Sequence, residues 1–258
     1  MIRAFLALAG IMLAATTPVH AAPAKAPSAK SKSAKAKSKA AKGKAAAKPA
    51  PVKEAEPPRP LTPDAMRVAE WVSSAGDNRA LPYIIIDKQG AHAFLFDAKG
   101  KPLADAPVLI GIAPGDDATP GIGSKNLSEI GPAEKTTPAG RFLAKFGVAA
   151  GKQQVLWVDY ATSVALHTIP PGNPKEKRTQ RMLSPEISDN RITFGCINVP
   201  KLFYRQKVSP LFRKKGGYVY ILPDSKPIEE VFPRLRVQPF LKAAAQPQGG
   251  EAAVGMNE

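Results

Sequence analysis

From Pro23 to Pro60 the chain is composed almost wholly of Ala, Lys, Ser and Pro. Such a stretch has almost nothing apolar to bury, cannot offset the entropy of ordering, and is expected to stay disordered. Any fold is therefore confined to the residues C-terminal to it. The same tract accounts for much of the charge. A formal balance of +16 suggests a nucleic-acid binder, yet residues 22–61 alone hold ten Lys and one Arg against two Glu, a net of +9. The tract reads as a solvated tether that can attach electrostatically to an anionic envelope surface.

The first residues argue against nucleic acid as a partner. Met1-Ile2-Arg3 is a short basic start, and Ala4 to Ala15 is an apolar run of about a dozen residues, enough for a signal-peptide core and short for a membrane span. Val19-His20-Ala21 offers a small-residue cleavage site before Ala22. No cysteine lies near that junction to carry a lipid, and no later segment has the length and apolarity of a span. The mature protein is expected to be exported to the periplasm or cell envelope without a transmembrane segment.

Residues 62–80 read as one amphipathic helix packed on a domain. Thr62-Pro63-Asp64 supplies an N-cap, a first-turn proline and a first-turn acid; Ala65, Val68, Trp71 and Val72 come next at helical spacing, and Gly76 ends the run. From Leu81 the period becomes that of strands. Tyr83–Asp87, a turn at Lys88-Gln89-Gly90 and Ala91–Asp97 predict a hairpin, and Pro107–Ile112 a further strand after a turn at residues 98–101. Pro114 to Lys135 is a Gly- and Pro-rich loop long enough to be functional. Strands are predicted at Arg141–Phe146, Gln154–Tyr160 and Val164–His167, then a polar loop from Pro170 to Arg191 with a helical turn near Lys175–Met182. After Asn198 the pattern is helical, with Phe203, Tyr204, Val208 and Leu211 on one side, Pro210 set to kink or shorten it, and Gly216-Gly217 as the stop. Tyr218–Leu222 is a last strand, and a short helix near Ile228–Phe232 precedes a tail, residues 224–258, expected to be largely disordered. The fold class is mainly β with a few helices, and residues 81–223 form the main domain.

Cys196 is the only cysteine. An exported chain cannot use it for an internal disulfide, which leaves an intermolecular bridge, a buried inert thiol or a reactive one. Gly195 before it permits close backbone approach, and Thr193 and Asn198 add polar groups, which favours reactivity. A thiol nucleophile needs a base, and the mature chain holds two histidines. His92 sits in a strand between small residues, its side chain expected to face solvent or a sheet edge. His167 ends an apolar strand at the rim of a loop, the better place for a reactive group.

His167, a long loop and Thr193-x-Gly195-Cys196-Ile197-Asn198 resemble the signature of the L,D-transpeptidases with a YkuD-type catalytic domain. Thr137-Pro138-Ala139-Gly140-Arg141-Phe142 is similar to that family's Thr-Pro-x-Gly-x-Phe turn. The resemblance covers roughly Leu81 to Pro223 and implies a mixed β-sandwich. It implies Cys196 as nucleophile, His167 as base, Gly195 and Cys196 as backbone donors to an oxyanion, and Thr168 orienting His167 through its carbonyl. Thr193, Phe194, Asn198 and Arg191 would meet substrate, and the loop cations Lys175, Lys177, Arg178, Arg181 and Arg191 either meet stem carboxylates or form a solvated face. Phe194 departs from the motif, standing where the family has a second histidine, and the spacer after His167 is longer than usual. The implied chemistry is acyl transfer from a peptidoglycan tetrapeptide stem to an amine, with no metal or organic cofactor. A carboxypeptidase or amidase of the same fold, or a non-catalytic wall-binding protein, are the alternatives.

Overall fold

A computed structural model describes residues 59–237. The expected signal peptide, nearly all of the Lys-rich tract and the end of the expected tail lie outside the described residues. No described helix is long and apolar enough to cross a membrane.

Helix α1 spans Pro63–Ala75. Thr62 Oγ1 accepts from the Ala65 N–H at 3.3 Å, Asp64 lies in the positive first turn, and Gly76 closes the helix at φ 63. Its apolar stripe, with Val68, Trp71 and Val72 buried, lies on one face of the sheet.

The strands are β1 (Tyr83–Asp87), β2 (His92–Phe96), β3 (Pro102–Pro107), β4 (Ile110–Gly111), β5 (Gly140–Val148), β6 (Gln154–Asp159), β7 (Val164–Thr168), β8 (Arg191–Thr193), β9 (Ile197–Val199) and β10 (Gly217–Ile221). Between them lie three short helices: α2 (Arg178–Met182), α3 (Ser209–Phe212) and, after β10, α4 (Ile228–Val231). Eight strands form one mixed sheet in the order β3-β2-β1-β10-β5-β6-β7-β9, and β4 pairs with β8 as a parallel ribbon. The pairs β1/β10 and β7/β9 are parallel. Leu109, just past the edge strand β3, exchanges two backbone hydrogen bonds of 2.9 Å with Asn198 on the opposite edge strand β9. The sheet is thus nearly closed on itself. The expected two β layers are the two sides of this one curled sheet.

Strand alternation divides the side chains into two cores. Ile84, Ile86, Leu95, Leu156, Leu166, Ile197, Val199 and Val219 point inward, where Phe203, Val208 and Phe212 of the helical segment complete the filling. Tyr83, Ile85, Phe94, Tyr218 and Tyr220 point outward and are covered by α1 and by Ile228, Phe232 and Leu235. The packed chain therefore runs past Pro223 as far as Leu235, where the sequence suggests mostly unstructured tail.

Two elements differ from expectation for identifiable reasons. Strand β3 carries a proline at each end, which argues against a strand, but it pairs on one side only, with β2, as an edge strand allows. Pro210 does not stop its helix. A wide turn of π type, Phe203–Val208, immediately precedes α3 and puts Pro210 in that helix's first turn, where a missing N–H costs little.

Lys88, read from sequence as a turn residue, is fully buried. Its Nζ donates to Asp116 Oδ1 at 2.9 Å, to Thr137 O at 2.9 Å and to Gly115 O at 2.5 Å, and lies 3.3 Å from Asp224 Oδ2. Asp116 in turn accepts from the backbone N–H groups of Asp224, Ser225 and Lys226. Burial alone would push the Asp116 carboxyl up, but the N–H groups of Asp224 and Lys226, with Lys88 and Ser225, hold it well below the usual carboxylate range. The cluster ties the start of the long loop, the Thr137 turn and the segment after β10 to one point. A carboxyl depressed in the folded state contributes stability above its unfolded pKa of 3.8, and this is lost as pH falls below that value. Guanidinium unfolding of the wild type should weaken steeply between about pH 5 and pH 2, and Asp116→Asn should flatten that slope while lowering stability at pH 7. Lys88→Met, which strands two buried carboxylates, should cost about 3 kcal/mol or more at pH 7 by the same measurement.

Candidate active site

The site is set by the pairing of β7 with β9, in which Leu166 lies opposite Ile197, His167 opposite Asn198 and Thr168 opposite Val199. Leu166, Ile197 and Val199 enter the inner core, so alternation turns His167, Asn198 and, two residues before it, Cys196 to the other face. Cys196 directly precedes β9, diagonal to His167 of the neighbouring strand.

The approach to Cys196 is a tight turn held from three sides. Thr193 is buried, and its Oγ1 donates to Cys196 O at 2.6 Å while accepting from the Gly195 N–H at 3.1 Å. Gly195 has φ 120, and a Cβ there would meet Thr136 O at 2.7 Å, so only glycine fits. Thr137 Oγ1 donates to Gly195 O at 2.8 Å and accepts from the Gly111 N–H at 2.8 Å. The threonine of the Thr-Pro-x-Gly-x-Phe turn is thus a buried clamp joining β4, the long loop and the cysteine turn.

His167 Nδ1 lies 2.7 Å from Thr168 O. A carbonyl only accepts, so Nδ1 carries the proton and the Nε2 lone pair is left available. Nε2 faces Asn198 Nδ2 at 3.4 Å, and Asn198 Oδ1 accepts from Arg178 Nη1 at 3.0 Å. The Cys196 sulfur points to Ser163 O at 3.7 Å; no hydrogen bond joins it to His167 among the described residues. Burial lowers the His167 pKa from 6.5, the Thr168 carbonyl opposes this, and the Arg178 charge adds to it. Burial pushes the Cys196 thiol above 9.0, against the backbone of Ala165 and the Arg178 charge. At neutral pH the pair rests as neutral thiol and neutral imidazole.

Thr168, His167, Asn198 and Arg178 form one chain of polar contacts, and Thr193, Gly195 and Cys196 form one turn beside it. Thr193 serves the turn, and Asn198 is buried between Arg178 and His167. Phe194 is 40% exposed, with Lys135 Nζ 3.7 Å above its ring. Arg191 is drawn away by Asp224, at 2.6 Å, and Arg181 donates to Asp189 O at 2.7 Å and Arg191 O at 3.2 Å, closing the loop on itself. Lys175 and Lys177 lie in the short turns of that loop, Lys177 and Arg178 lining a cleft of about 300 Å³ with Glu176. His92, expected to face solvent or a sheet edge, faces the edge strand β3. It is buried because Asp105 of β3 meets its Nε2 at 2.7 Å, which occupies it on the β2/β3 side of the sheet. Sequence reading missed two contributors. Arg178 stood among five loop cations with nothing to single it out, and the Lys88 cluster is assembled from distant segments.

No family model matches the chain, and no curated protein matches it. Solved structures that resemble it include L,D-transpeptidases and a cell shape determining protein. One is the L,D-transpeptidase of Xylanimonas cellulosilytica, at 13% identity and TM-score 0.33, over 55% of this chain and 60% of that one. Another is the catalytic domain of the Enterococcus faecium L,D-transpeptidase, at 17% identity and TM-score 0.32, over 54% and 95%. A third is the helical cell shape determining protein Pgp2 (K307A mutant) of Campylobacter jejuni, at 12% identity and TM-score 0.37, over 71% and 65%.

The resting protonation states are testable without substrate. Iodoacetamide labelling of Cys196 should accelerate with pH up to and beyond pH 9, about tenfold per unit, because burial holds the thiol protonated. A rate that levels off below pH 8 would instead mean a preformed thiolate.

Proposed function

We propose that the chain is an exported peptidoglycan L,D-transpeptidase that works through Cys196. The observation that carries this reading is a lone cysteine on the same sheet face as an imidazole whose Nδ1–H is held by Thr168 O, leaving Nε2 as the basic atom. Acyl transfer by a thiol needs that pairing: a base to take the proton and a sulfur to hold the acyl group. The motif resemblance around His167 and Cys196 points to the same chemistry.

In the mechanism, the Cys196 thiol turns from Ser163 O and displaces the 3.4 Å contact of Asn198 Nδ2 at His167 Nε2, which takes the thiol proton as sulfur attacks the carbonyl at the L-centre of the diamino acid in a tetrapeptide stem. Collapse of the tetrahedral intermediate breaks the bond to D-alanine, whose amine leaves with the proton from His167, and a thioester remains. An acceptor amine then attacks the thioester, His167 takes its proton, and the thiol is restored. The neutral resting pair suits this order, since the sulfur becomes anionic only as the proton moves. Backbone N–H groups at the cysteine turn are the nearest donors for the oxyanion, a contribution on the order of 3 kcal/mol in acyl-transfer enzymes. Gly195 N–H must be shared with Thr193 Oγ1 to serve there. Lys135, 3.7 Å above the Phe194 ring, is a cation beside the turn, with the charge a stem carboxylate would need. The Lys-rich tract would hold the domain against an anionic envelope surface.

Incubation of the protein with a disaccharide tetrapeptide, read by mass spectrometry, tests the reading. Cross-linked dimer with release of D-alanine is expected, abolished by Cys196→Ala and reduced about 10²- to 10⁴-fold by His167→Gln. Free tripeptide alone would make the protein an L,D-carboxypeptidase of this fold. No turnover and no adduct would leave a non-catalytic wall-binding protein.

A further inference from the structure

Arg178 does not contact the thiol or the imidazole, yet it sits at the end of a chain of contacts that reaches both. Its Nη1 donates to Asn198 Oδ1 at 3.0 Å, and the other end of that carboxamide faces His167 Nε2 at 3.4 Å. A guanidinium only donates, so the carboxamide oxygen must point to Arg178 and the NH₂ to His167. The imidazole leaves no choice on its other side, because Nδ1 donates to Thr168 O at 2.7 Å. Asn198 is 1% exposed, so water does not compete for either end of its amide.

We infer that Arg178 is a positioning residue that fixes the carboxamide of Asn198 with its N–H toward His167 Nε2 and so keeps that nitrogen unprotonated. The inference rests on the reading of His167 as the base. Were the carboxamide free to turn over, Oδ1 would face Nε2 and accept from it, which stabilises either the imidazolium or the wrong tautomer. A donor facing Nε2 does the reverse. Among the described residues, the charged and titratable groups about His167 include Arg178 from the loop, Cys196 from the turn before β9, and Glu176 behind Arg178, the Glu176 Oε2 lying 2.6 Å from Arg178 Nε. Glu176 leaves Nη1 free for Asn198 and holds the guanidinium in place. The direct effect of the Arg178 charge on His167 has the same sign as the relayed one, so a test must separate them.

A double-mutant cycle on the full mature chain does so. The ¹⁵N resonances of His167 would be titrated in the wild type, Arg178→Met, Asn198→Ala and the double variant. The wild type should show an Nδ1–H tautomer. Loss of one oriented hydrogen bond is worth roughly a factor of ten, so Arg178→Met should raise the His167 pKa by about one unit in the presence of Asn198 and by much less without it. Equal rises in both backgrounds would mean that Arg178 acts by charge alone and would overturn the inference. Should Asn198→Ala fail to fold, the proximity signal between the Asn198 amide protons and the His167 ring decides: it is present in the wild type and lost in Arg178→Met if the inference holds, and unchanged if it does not. Cys196 labelling by iodoacetamide in the same samples reports on the acyl-transfer reading separately, since a thiol that never reacts counts against the nucleophile and leaves the titration cycle to judge Arg178.

Discussion

The parallel register of β7 on β9 is the constraint from which the site arises. Opposing Leu166 to Ile197 commits alternate residues to the inner core and turns His167, Cys196 and Asn198 outward together. A slip of one residue would place the imidazole and the sulfur on opposite faces and bury a polar set among hydrocarbon, so the apolar side chains that stabilise the fold also fix the geometry of the candidate site. Parallel neighbours need a long connection, and here residues 169–196 supply it. That connection is also the source of Arg178, so the strand-to-strand crossover that the topology demands carries a residue of the site.

Around this register the chain places buried polar groups where they fix backbone. Thr137 Oγ1 joins Gly111 and Gly195, and Lys88 joins Asp116, Asp224 and the Thr137 carbonyl, so the two clusters share one turn. Each would be costly if half satisfied, and each is nearly saturated with partners. What they hold is irregular chain, the long loop and the cysteine turn, that strand pairing alone does not fix. A scaffold of this kind fixes the Cys196 turn with the precision of a strand.

Much of this was legible from the residues. Helix α1 was bounded by Thr62 and Gly76 because capping is local chemistry, and strands such as Tyr83–Asp87 and Tyr218–Leu222 were read from short runs of β-branched and aromatic residues. That His167 lies across from Asn198, two residues after Cys196, and not on the β2/β3 side with His92, follows from strand order rather than from any local pattern. What escaped was non-local or context-dependent. The strand expected at Pro107–Ile112 is in fact two, β3 at Pro102–Pro107 and β4 at Ile110–Gly111, since prolines at both ends of β3 are tolerated only at a sheet edge. Lys88 in a turn looks solvated until three distant segments supply its partners. His92 between small residues gives no hint of Asp105, since cross-strand partners depend on register rather than sequence proximity. Arg178 was one cation among five, distinguished only by what the fold sets beside it.

The central claim is that the outward sulfur carries the acyl group. Intact-protein mass spectrometry of the mature chain mixed with a tetrapeptide stem donor and quenched in acid, with subsequent peptide mapping, tests it most directly. The predicted result is a mass gain equal to the donor less D-alanine, on the peptide containing Cys196 and labile to hydroxylamine as a thioester is. An unmodified protein, or an adduct on any other residue, would contradict it.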